Sequence, residues 1–161
     1  MKATARPATL SDVPALCALQ ARIIRIGGTT AHETPYSEAE FAIQYLTGPE
    51  VIACHAAELA GRVIGYQVIG HYSGLPETWA DIGTFVDPDV QRSGAGQALF
   101  AATRAAARTA GIRTLNATIR ADNIPGLGYY GGLGFTDYGA EPDYTLKTGQ
   151  RVGRIHRRFD L

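Results

Sequence analysis

The sequence is poor in cysteine, and this excludes one common class of small protein. Its two cysteines, Cys17 and Cys54, are too few for the disulfide framework of a secreted domain. Cys17 lies in a helical pattern, and Cys54 ends an apolar run that begins at Val51. We therefore expect two buried thiols that pack as small apolar side chains, in a chain suited to the reducing cytoplasm.

The sequence also lacks an excess of charge of either sign. Fifteen basic residues balance fifteen acidic ones, so no global field draws in nucleic acid or anionic lipid. The arginine-rich stretch near the C-terminus is better explained as a last strand, with Val152, Ile155 and Phe159 buried and the arginines on solvent faces or at a subunit interface. We expect no nucleic-acid partner.

Long apolar runs are absent as well. No stretch approaches the roughly 20 apolar residues of a membrane-spanning helix. Asp12 interrupts the region in which a signal peptide needs an apolar core. No cluster of His, Cys and Asp has the spacing of metal ligands. These patterns predict a soluble protein without a membrane span and without a metal.

The apolar content that is present suffices for one buried core. The chain has 161 residues, of which 45% are hydrophobic, and it shows no linker or repeat, so we predict a single domain over residues 1–161. In chain order the periodicity first predicts a strand at 3–6, a helix capped by Thr9 or Ser11 that ends at Gly27, and a helix capped by Ser37. It then predicts strands at 51–58, 62–70 and about 78–86, a helix to about 110 and a strand at 112–119. An antiparallel meander that passes into a strand–helix–strand crossover predicts an α+β sandwich, with helices on both faces of a central sheet.

The most informative segment follows the third strand of this meander: Gln91-Arg92-Ser93-Gly94-Ala95-Gly96. Two glycines one residue apart allow a tight turn that brings several backbone N–H groups to one point, at which the positive end of the next helix is also directed. We predict a pyrophosphate site there. The nucleotide triphosphate loop does not fit, because Gln97 follows Gly96 where that loop needs Lys, and the dinucleotide fingerprint does not fit, because its third glycine and its distant acid are missing.

The pattern Gln-Arg-x-Gly-x-Gly after a strand resembles the acyl-CoA pyrophosphate loop of the GNAT N-acetyltransferase superfamily. A second motif supports this resemblance, because Asn123, Tyr130, Gly134 and Phe135 fall where the superfamily has an Asn, a short helix, a Tyr and then Gly-Phe. The resemblance implies the GNAT fold, an α/β/α sandwich with a mixed, mostly antiparallel sheet of six to seven strands and about four flanking helices.

Both ends of the chain resemble the phosphinothricin acetyltransferase branch of this superfamily. The segment Thr29–Pro35 is similar to the branch's Thr- and Glu-bearing loop between the first two helices. Leu146-Lys147-x-Gly149 followed by Val152 is similar to its closing segment. Because members of this branch commonly dimerise, the resemblance also implies a homodimer.

The resemblance assigns the contacts to the co-substrate acetyl-CoA. Thr84, Phe85 and Val86 would lie beside the pantetheine arm, on a strand edge that is expected to splay open and to pair with the arm as with an added strand. The pyrophosphate would be held by the side chain of Arg92 and by the backbone N–H groups of Arg92, Ser93, Gly94, Ala95, Gly96 and Gln97. Asn123 would hydrogen-bond the arm, and Tyr130 would reach the sulfur.

The reaction needs an acid and a base, because an amine attacks the thioester and a thiolate departs. Tyr130 is the expected general acid, since a phenol with a pKa near 10 can protonate a departing thiolate whose pKa is roughly 8.5. Asp81 aligns with the acid, usually Glu, that precedes the cofactor strand in the branch, and it is the expected base. Being one methylene shorter, it would work through a water and would have to be partly desolvated. Glu33, His32 and His71 are alternative bases.

The acceptor is expected to be the amine of a small molecule, an amino acid or a similar compound. The expected substrate contacts are Thr30, Glu33, His71, Tyr72 and Lys147. One departure from the branch concerns specificity. Relatives that acetylate phosphinothricin or methionine sulfone carry basic residues that would grip an acidic group, whereas no Lys or Arg occurs here between Arg62 and Arg92.

An acidic group on the substrate would therefore need another partner, for which Lys147, Arg151 or an Arg of a second subunit is available. An amine with an apolar or aromatic body is the alternative. Two other functions also fit the sequence. One is a noncatalytic acyl-CoA-binding or regulatory module, and the other is a protein N-acetyltransferase.

Overall fold

The computed structural model describes residues 1–90 and 92–161, so Gln91, the first residue of the predicted phosphate loop, lies outside the described part. The helices are α1 (Val13–Ile26), α2 (Glu38–Ala42), α3 (Ala95–Thr109) and α4 (Ile124–Leu133). The strands are β1 (Thr4–Pro7), β2 (Val51–Leu59), β3 (Arg62–Gly70), β4 (Trp79–Val86), β5 (Thr114–Arg120), β6 (Thr136–Glu141) and β7 (Arg154–Asp160). Within this part of the chain no helix is long and apolar enough to cross a membrane.

Thr9, a predicted cap of the first helix, caps a short 3-10 turn, Leu10–Asp12, and α1 itself has Asp12 as its N-cap. Helix α1 ends at Gly27, which has a φ of 75° and leaves the helical path. The capping box at α2 is confirmed, since Ser37 Oγ accepts from the Glu40 N–H at 3.1 Å and Glu40 Oε1 accepts from the Ser37 N–H at 2.9 Å. A π-helical turn, Ile43–Thr47, prolongs α2 to Gly48.

The strands form one mixed sheet in the order β1-β2-β3-β4-β5-β7-β6. All neighbours are antiparallel except β4 and β5, which are joined by the crossover through α3. The predicted meander, crossover and last strand are therefore confirmed. Strand β6 was not predicted, because its residues TDYGAE are almost all exposed and show no apolar alternation.

Helices cover both faces of the sheet. On one face α1 and α2 pack on β2 and β3, in a cluster that includes Leu16, Phe41 and Tyr66. On the other face α3 packs mainly on β1, β2 and β3, and α4 packs on β5, in clusters that include Leu99 and Phe100. This arrangement is an α+β sandwich, as the sequence predicted.

The sheet opens in its middle, between the two parallel strands. Strands β4 and β5 pair only at Trp79 with Thr114, Ala80 with Leu115 and Asp81 with Asn116. Beyond Asp81 the two strands diverge, while β4 stays paired to β3 as far as Val86. One edge of β4 from Ile82 onwards therefore faces the opening.

Candidate active site

A cleft of about 770 Å³ occupies this opening. Its walls come from the second half of β4, the loop into α3, the end of β5, the start of α4, and the loop between α1 and α2. The predicted site residues that line it are Thr30, Tyr72, Asp81, Thr84, Phe85, Val86, Arg92, Ser93, Gly94, Ala95, Gly96, Gln97, Asn123 and Tyr130. Among the residues that the structure describes, no group of three His, Cys, Asp or Glu side chains could hold a metal ion.

The loop before α3 is shaped to receive an anion. Arg92 and Gly94 both have left-handed backbone conformations, with φ angles of 56° and 79°. Turns of this kind direct successive N–H groups into one concavity, and α3 begins at the same place, with no acidic side chain in its first turn. The N–H of Ala3 donates to the carbonyl of Ser93 at 2.8 Å and fixes the loop to the start of the chain.

Tyr129 packs against the core with its ring and also supports this loop through Gly96. Its hydroxyl donates to the carbonyl of Gly96 at 2.8 Å and accepts from Gln67 Nε2 at 3.0 Å. Its ring lies against Gly96 so closely that a Cβ at that position would be 2.5 Å from Cε1. Gly96 is therefore needed for the approach of Tyr129, whereas the left-handed conformation of the turn falls on Arg92 and Gly94.

Tyr130 lies in the interior of the site, next to β4. Its hydroxyl is 2.8 Å from Thr84 Oγ1, and Gln67 Nε2 donates to the same Oγ1 at 2.8 Å. Burial raises the pKa of Tyr130 well above its usual value, so the phenol stays protonated. Because Thr84 already accepts from Gln67, it can donate its own proton to Tyr130 and leave the Tyr130 proton directed at the cleft.

Asn123, the N-cap of α4, also lines the cleft and is held by contacts within the chain. Its Oδ1 accepts from the Gly126 N–H at 3.0 Å and so caps α4, and its Nδ2 donates to the carbonyl of Thr29 at 2.8 Å. Arg120 Nη1 donates to the neighbouring carbonyl of Thr30 at 3.0 Å. These two bonds hold the α1–α2 loop against the cleft, while one further Nδ2 hydrogen of Asn123 could meet a ligand.

Asp81 occupies the point at which β4 and β5 separate. It is the last residue of β4 that pairs with β5, and its side chain lies on the opposite face of the strand from Thr84. Asn116 Nδ2 donates to Asp81 Oδ1 at 2.7 Å. Burial raises the pKa of Asp81 to about 6, although the Asn116 hydrogen bond and the charges of His156 and Arg154 oppose the rise.

A chain of hydrogen bonds continues from Asp81 across β5 to β7, and the sequence did not predict it. Asn116 Nδ2 also donates to Thr118 Oγ1 at 3.1 Å, and Thr118 Oγ1 is 2.9 Å from His156 Nδ1. The Tyr138 hydroxyl donates to Asn116 Oδ1. A usable signal was present, because Asn116 and Thr118 are polar positions that alternate with apolar ones in a predicted strand.

The remaining predicted substrate residues lie apart from the cleft. His71 lines a smaller cavity of about 210 Å³, which also reaches Asp81. Glu33 and Lys147 do not line either of these spaces; instead Glu33 Oε2 accepts from the backbone N–H of Lys147 at 2.8 Å. His32 lines the cleft, and burial lowers its pKa. Of the candidate bases, only Asp81 lies at the strand separation.

Family and structural comparisons agree with this geometry. Residues 21–135 match the model of the acetyltransferase (GNAT) family. This match covers more than half of the chain and both motifs, so the chain belongs to the GNAT acetyltransferase family. A comparison with curated proteins gives no significant match.

Several solved structures share the whole fold at low sequence identity. A GNAT superfamily phosphinothricin acetyltransferase from Sinorhizobium meliloti, in complex with acetyl-CoA, is 24% identical with a TM-score of 0.88, over 100% of this chain and 89% of that one. A ribosomal-protein-alanine N-acetyltransferase from Brucella melitensis is 22% identical with a TM-score of 0.86, over 98% of this chain and 99% of that one. An N-acetyltransferase from Staphylococcus aureus is 20% identical with a TM-score of 0.87, over 99% of both chains. Neighbours with different acceptors thus share one architecture.

Proposed function

We propose that residues 1–161 form a single acetyltransferase domain that moves an acetyl group from acetyl-CoA to the amine of a small molecule, an amino acid or a similar compound. The observation that carries the proposal is the position of Asp81 at the strand separation, with Tyr130 and the anion-binding loop on the other side of the same opening. Acetyl-CoA and the amine can therefore approach each other through the opening from opposite faces of the sheet. This geometry suits direct acetyl transfer in a ternary complex.

Acetyl-CoA fits the cleft by its chemistry. The amide-rich pantetheine arm can pair with the open edge of β4 at Thr84, Phe85 and Val86, as an added strand would. The concave turn and the first N–H groups of α3 suit the pyrophosphate, with Arg92 adding a positive charge. The neighbour from Sinorhizobium meliloti contains acetyl-CoA, which supports the same ligand here.

Asp81 is proposed to act as the general base. The amine nitrogen attacks the thioester carbonyl carbon, and the proton that it loses passes to the Asp81 carboxylate through a water. With a pKa raised to about 6, Asp81 is ionised at neutral pH and holds a proton better than an exposed carboxylate does. Asn116 orients the carboxylate at 2.7 Å.

Tyr130 is proposed to assist the departing thiolate when the carbon–sulfur bond breaks. Burial raises the pKa of its phenol, which makes complete proton transfer to a thiolate less favourable than the sequence alone suggested. A hydrogen bond from the phenol to the sulfur stabilises the developing charge without requiring that transfer. The thiolate of coenzyme A then takes up a proton from solvent as it leaves.

The phosphinothricin branch, the homodimer and the cytoplasmic location stay predictions from the resemblance. Light scattering coupled to size-exclusion chromatography tests the oligomeric state. A mass of about twice the 17.2 kDa of the chain is expected, and a mass equal to that of the chain would contradict the homodimer.

Acetyl-CoA consumption, measured by release of the free thiol, tests the function. The acceptor panel contains amino acids, methionine sulfone, phosphinothricin, simple amines and a peptide with an N-terminal alanine, and thermal shift with acetyl-CoA is measured alongside. Turnover with a small amine supports the proposal. Turnover with the peptide alone would indicate a protein N-acetyltransferase, and stabilisation by acetyl-CoA without any turnover would favour a noncatalytic binding module.

A further inference from the structure

Two basic side chains lie on the cleft wall near Asp81, and the mechanism above does not use them. Arg154 and His156 are two residues apart on β7, so their side chains lie on the same face of the strand, and both line the cleft. Their charges act on Asp81 against the effect of its burial, which places them within electrostatic range of the proposed base. The sequence interpretation had placed the arginines of this strand on solvent faces or at a subunit interface.

Both side chains are held in place from behind by one carboxylate. Arg154 Nε and Nη2 donate to Glu141 Oε2 at 3.0 and 2.8 Å, and His156 Nε2 is 2.8 Å from the same oxygen. The guanidinium carbon of Arg154 also lies 3.8 Å from the ring centroid of Tyr144. Glu141 itself is not part of the cleft wall in the described chain.

Arg154 therefore keeps capacity for a ligand. Within residues 1–90 and 92–161 its Nη1 has no hydrogen-bond partner. A guanidinium that is already fixed by a carboxylate and an aromatic ring loses little conformational entropy when it binds a second anion. A planar carboxylate is the anion that matches the guanidinium geometry.

The smaller cavity supplies a place for the rest of the acceptor. The two spaces share Tyr72, Asp81, Gly83 and Phe85, so they meet at the proposed base. The smaller one continues between Tyr45, Val51 and Val68 and has Glu50 at its wall. Apolar and aromatic walls suit a neutral side chain, and Glu50 disfavours an acidic one.

We propose that the acceptor is an α-amino acid with a neutral side chain, whose carboxylate binds Arg154 while its amine faces Asp81 and its side chain enters the smaller cavity. His156, whose two ring nitrogens are held by Thr118 and Glu141, adds only its position beside Arg154. This inference rests on the proposed function and gives it a substrate class. In an α-amino acid one carbon separates a cationic amine from an anionic carboxylate, which complements Asp81 on β4 and Arg154 on β7, two opposite charges that line the same cleft. The basic residues missing between Arg62 and Arg92 are thereby replaced from β7.

The test compares leucine, methionine and phenylalanine with their amides and with their decarboxylated amines. We expect kcat/KM for each acid to exceed that for its amide by at least about tenfold, since the charged hydrogen bond is lost in the amide. Arg154→Gln should lower kcat/KM for the acids by roughly 10- to 100-fold and leave the amides nearly unchanged. Arg108→Gln is the matched control, because Arg108 is exposed near the end of α3 and lines neither cavity, and it should change neither rate.

A binding measurement separates this inference from the proposed function. Calorimetric titration of each amino acid into the protein saturated with coenzyme A should show binding that Arg154→Gln abolishes and Arg108→Gln keeps, with melting temperatures confirming that both variants fold. Amides or simple amines that are acetylated as fast as the acids would overturn the inference and keep the proposed function. Amino-acid binding without acetyl transfer to any amine would overturn the proposed function and keep the carboxylate site. Neither binding nor transfer for any of these amino acids would overturn the inference.

Discussion

At the scale of single residues, the site depends on two groups whose burial changes their acidity. Asp81 is a carboxylate that prefers a proton more than an exposed one does, and Tyr130 is a phenol that keeps its proton. Burial alone would leave Asp81 neutral to a still higher pH, but the N–H of Asn116 favours the ionised form. The pair is suited to accept a proton on one side of the sheet and to donate a hydrogen bond on the other.

The pH dependence of turnover reports on Asp81. Because a base must be ionised to act, kcat/KM for acetyl-CoA at saturating amine should fall as the pH drops through about 6, the raised pKa of Asp81, instead of through its ordinary 3.8. Asn116→Ala removes the hydrogen bond that lowers this pKa, so the inflection should move to higher pH. A pH profile that is flat down to about pH 4 in the wild type would contradict Asp81 as the base.

Tyr130→Phe removes the hydroxyl and keeps the ring. We expect kcat to fall by about 10²- to 10³-fold, as for the loss of one preorganised donor at a developing charge, with little change in the affinity for acetyl-CoA. Tyr129→Phe is the control, since the Tyr129 hydroxyl supports the loop at Gly96 and its loss should act mainly on the KM for acetyl-CoA. Full turnover in Tyr130→Phe would remove Tyr130 from the mechanism.

At the scale of the elements, the start of α3 is defined by one close contact. The ring of Tyr129, on α4, lies against Gly96, on α3, and ties the anion-binding loop to the helix that carries Tyr130. The loop is further fixed through Asp87, which accepts from the side chain of Arg22 on α1. The loop that would hold the cofactor and the residue that would reach its sulfur are therefore positioned together.

Gly96→Ala tests this contact. The added Cβ would lie 2.5 Å from Tyr129 Cε1, so Tyr129 and the loop must move apart. The KM for acetyl-CoA should therefore rise by about tenfold or more, which is roughly the effect of a shift of about 1 Å in a binding element. Gly128→Ala on α4 is the matched control, because its Cβ would meet nothing within 4 Å. Equal acetyl-CoA affinity in both variants would show that the contact is unimportant.

The elements that the sequence predicted well are those with strong local signals. The capping box at Ser37, the glycine at Gly27 and the apolar strands 62–70 and about 78–86 are set by neighbours in the chain. Strand β6 was missed because it is an exposed edge strand whose pairing with β7 alone defines it. For the same reason the sequence did not predict that Arg154 and His156 line the cleft, since their position depends on β7 lying between β5 and β6.

At the scale of the whole molecule, the burial of Asp81 at the opening of the sheet lowers the stability of the folded protein. A folded state that raises the pKa of Asp81 from 3.8 to about 6 is less stable once Asp81 ionises. This penalty is absent below the unfolded pKa, grows as the pH rises through the folded pKa, and amounts to about 3 kcal/mol above it. The carboxyl group that is proposed as the base thus lowers the stability of the folded protein at neutral pH.

Asp81→Asn should therefore stabilise the protein in a pH-dependent way. We expect its free energy of unfolding to match that of the wild type at about pH 4 and to exceed it by about 1–3 kcal/mol at about pH 7.5. Urea unfolding followed by circular dichroism at both pH values measures the difference. Equal stability at the higher pH would mean that ionised Asp81 carries no penalty in the folded state.

Acetyl transfer by Asp81→Asn, measured together with acetyl-CoA affinity, tests the central claim most directly. The account predicts that turnover falls by at least about 10²-fold while the Kd for acetyl-CoA stays within about twofold, because the base is lost and the cofactor cleft is not. Glu77→Gln, an exposed acid in the loop before β4, should leave both quantities unchanged. Full turnover by Asp81→Asn with the best wild-type acceptor would contradict the account.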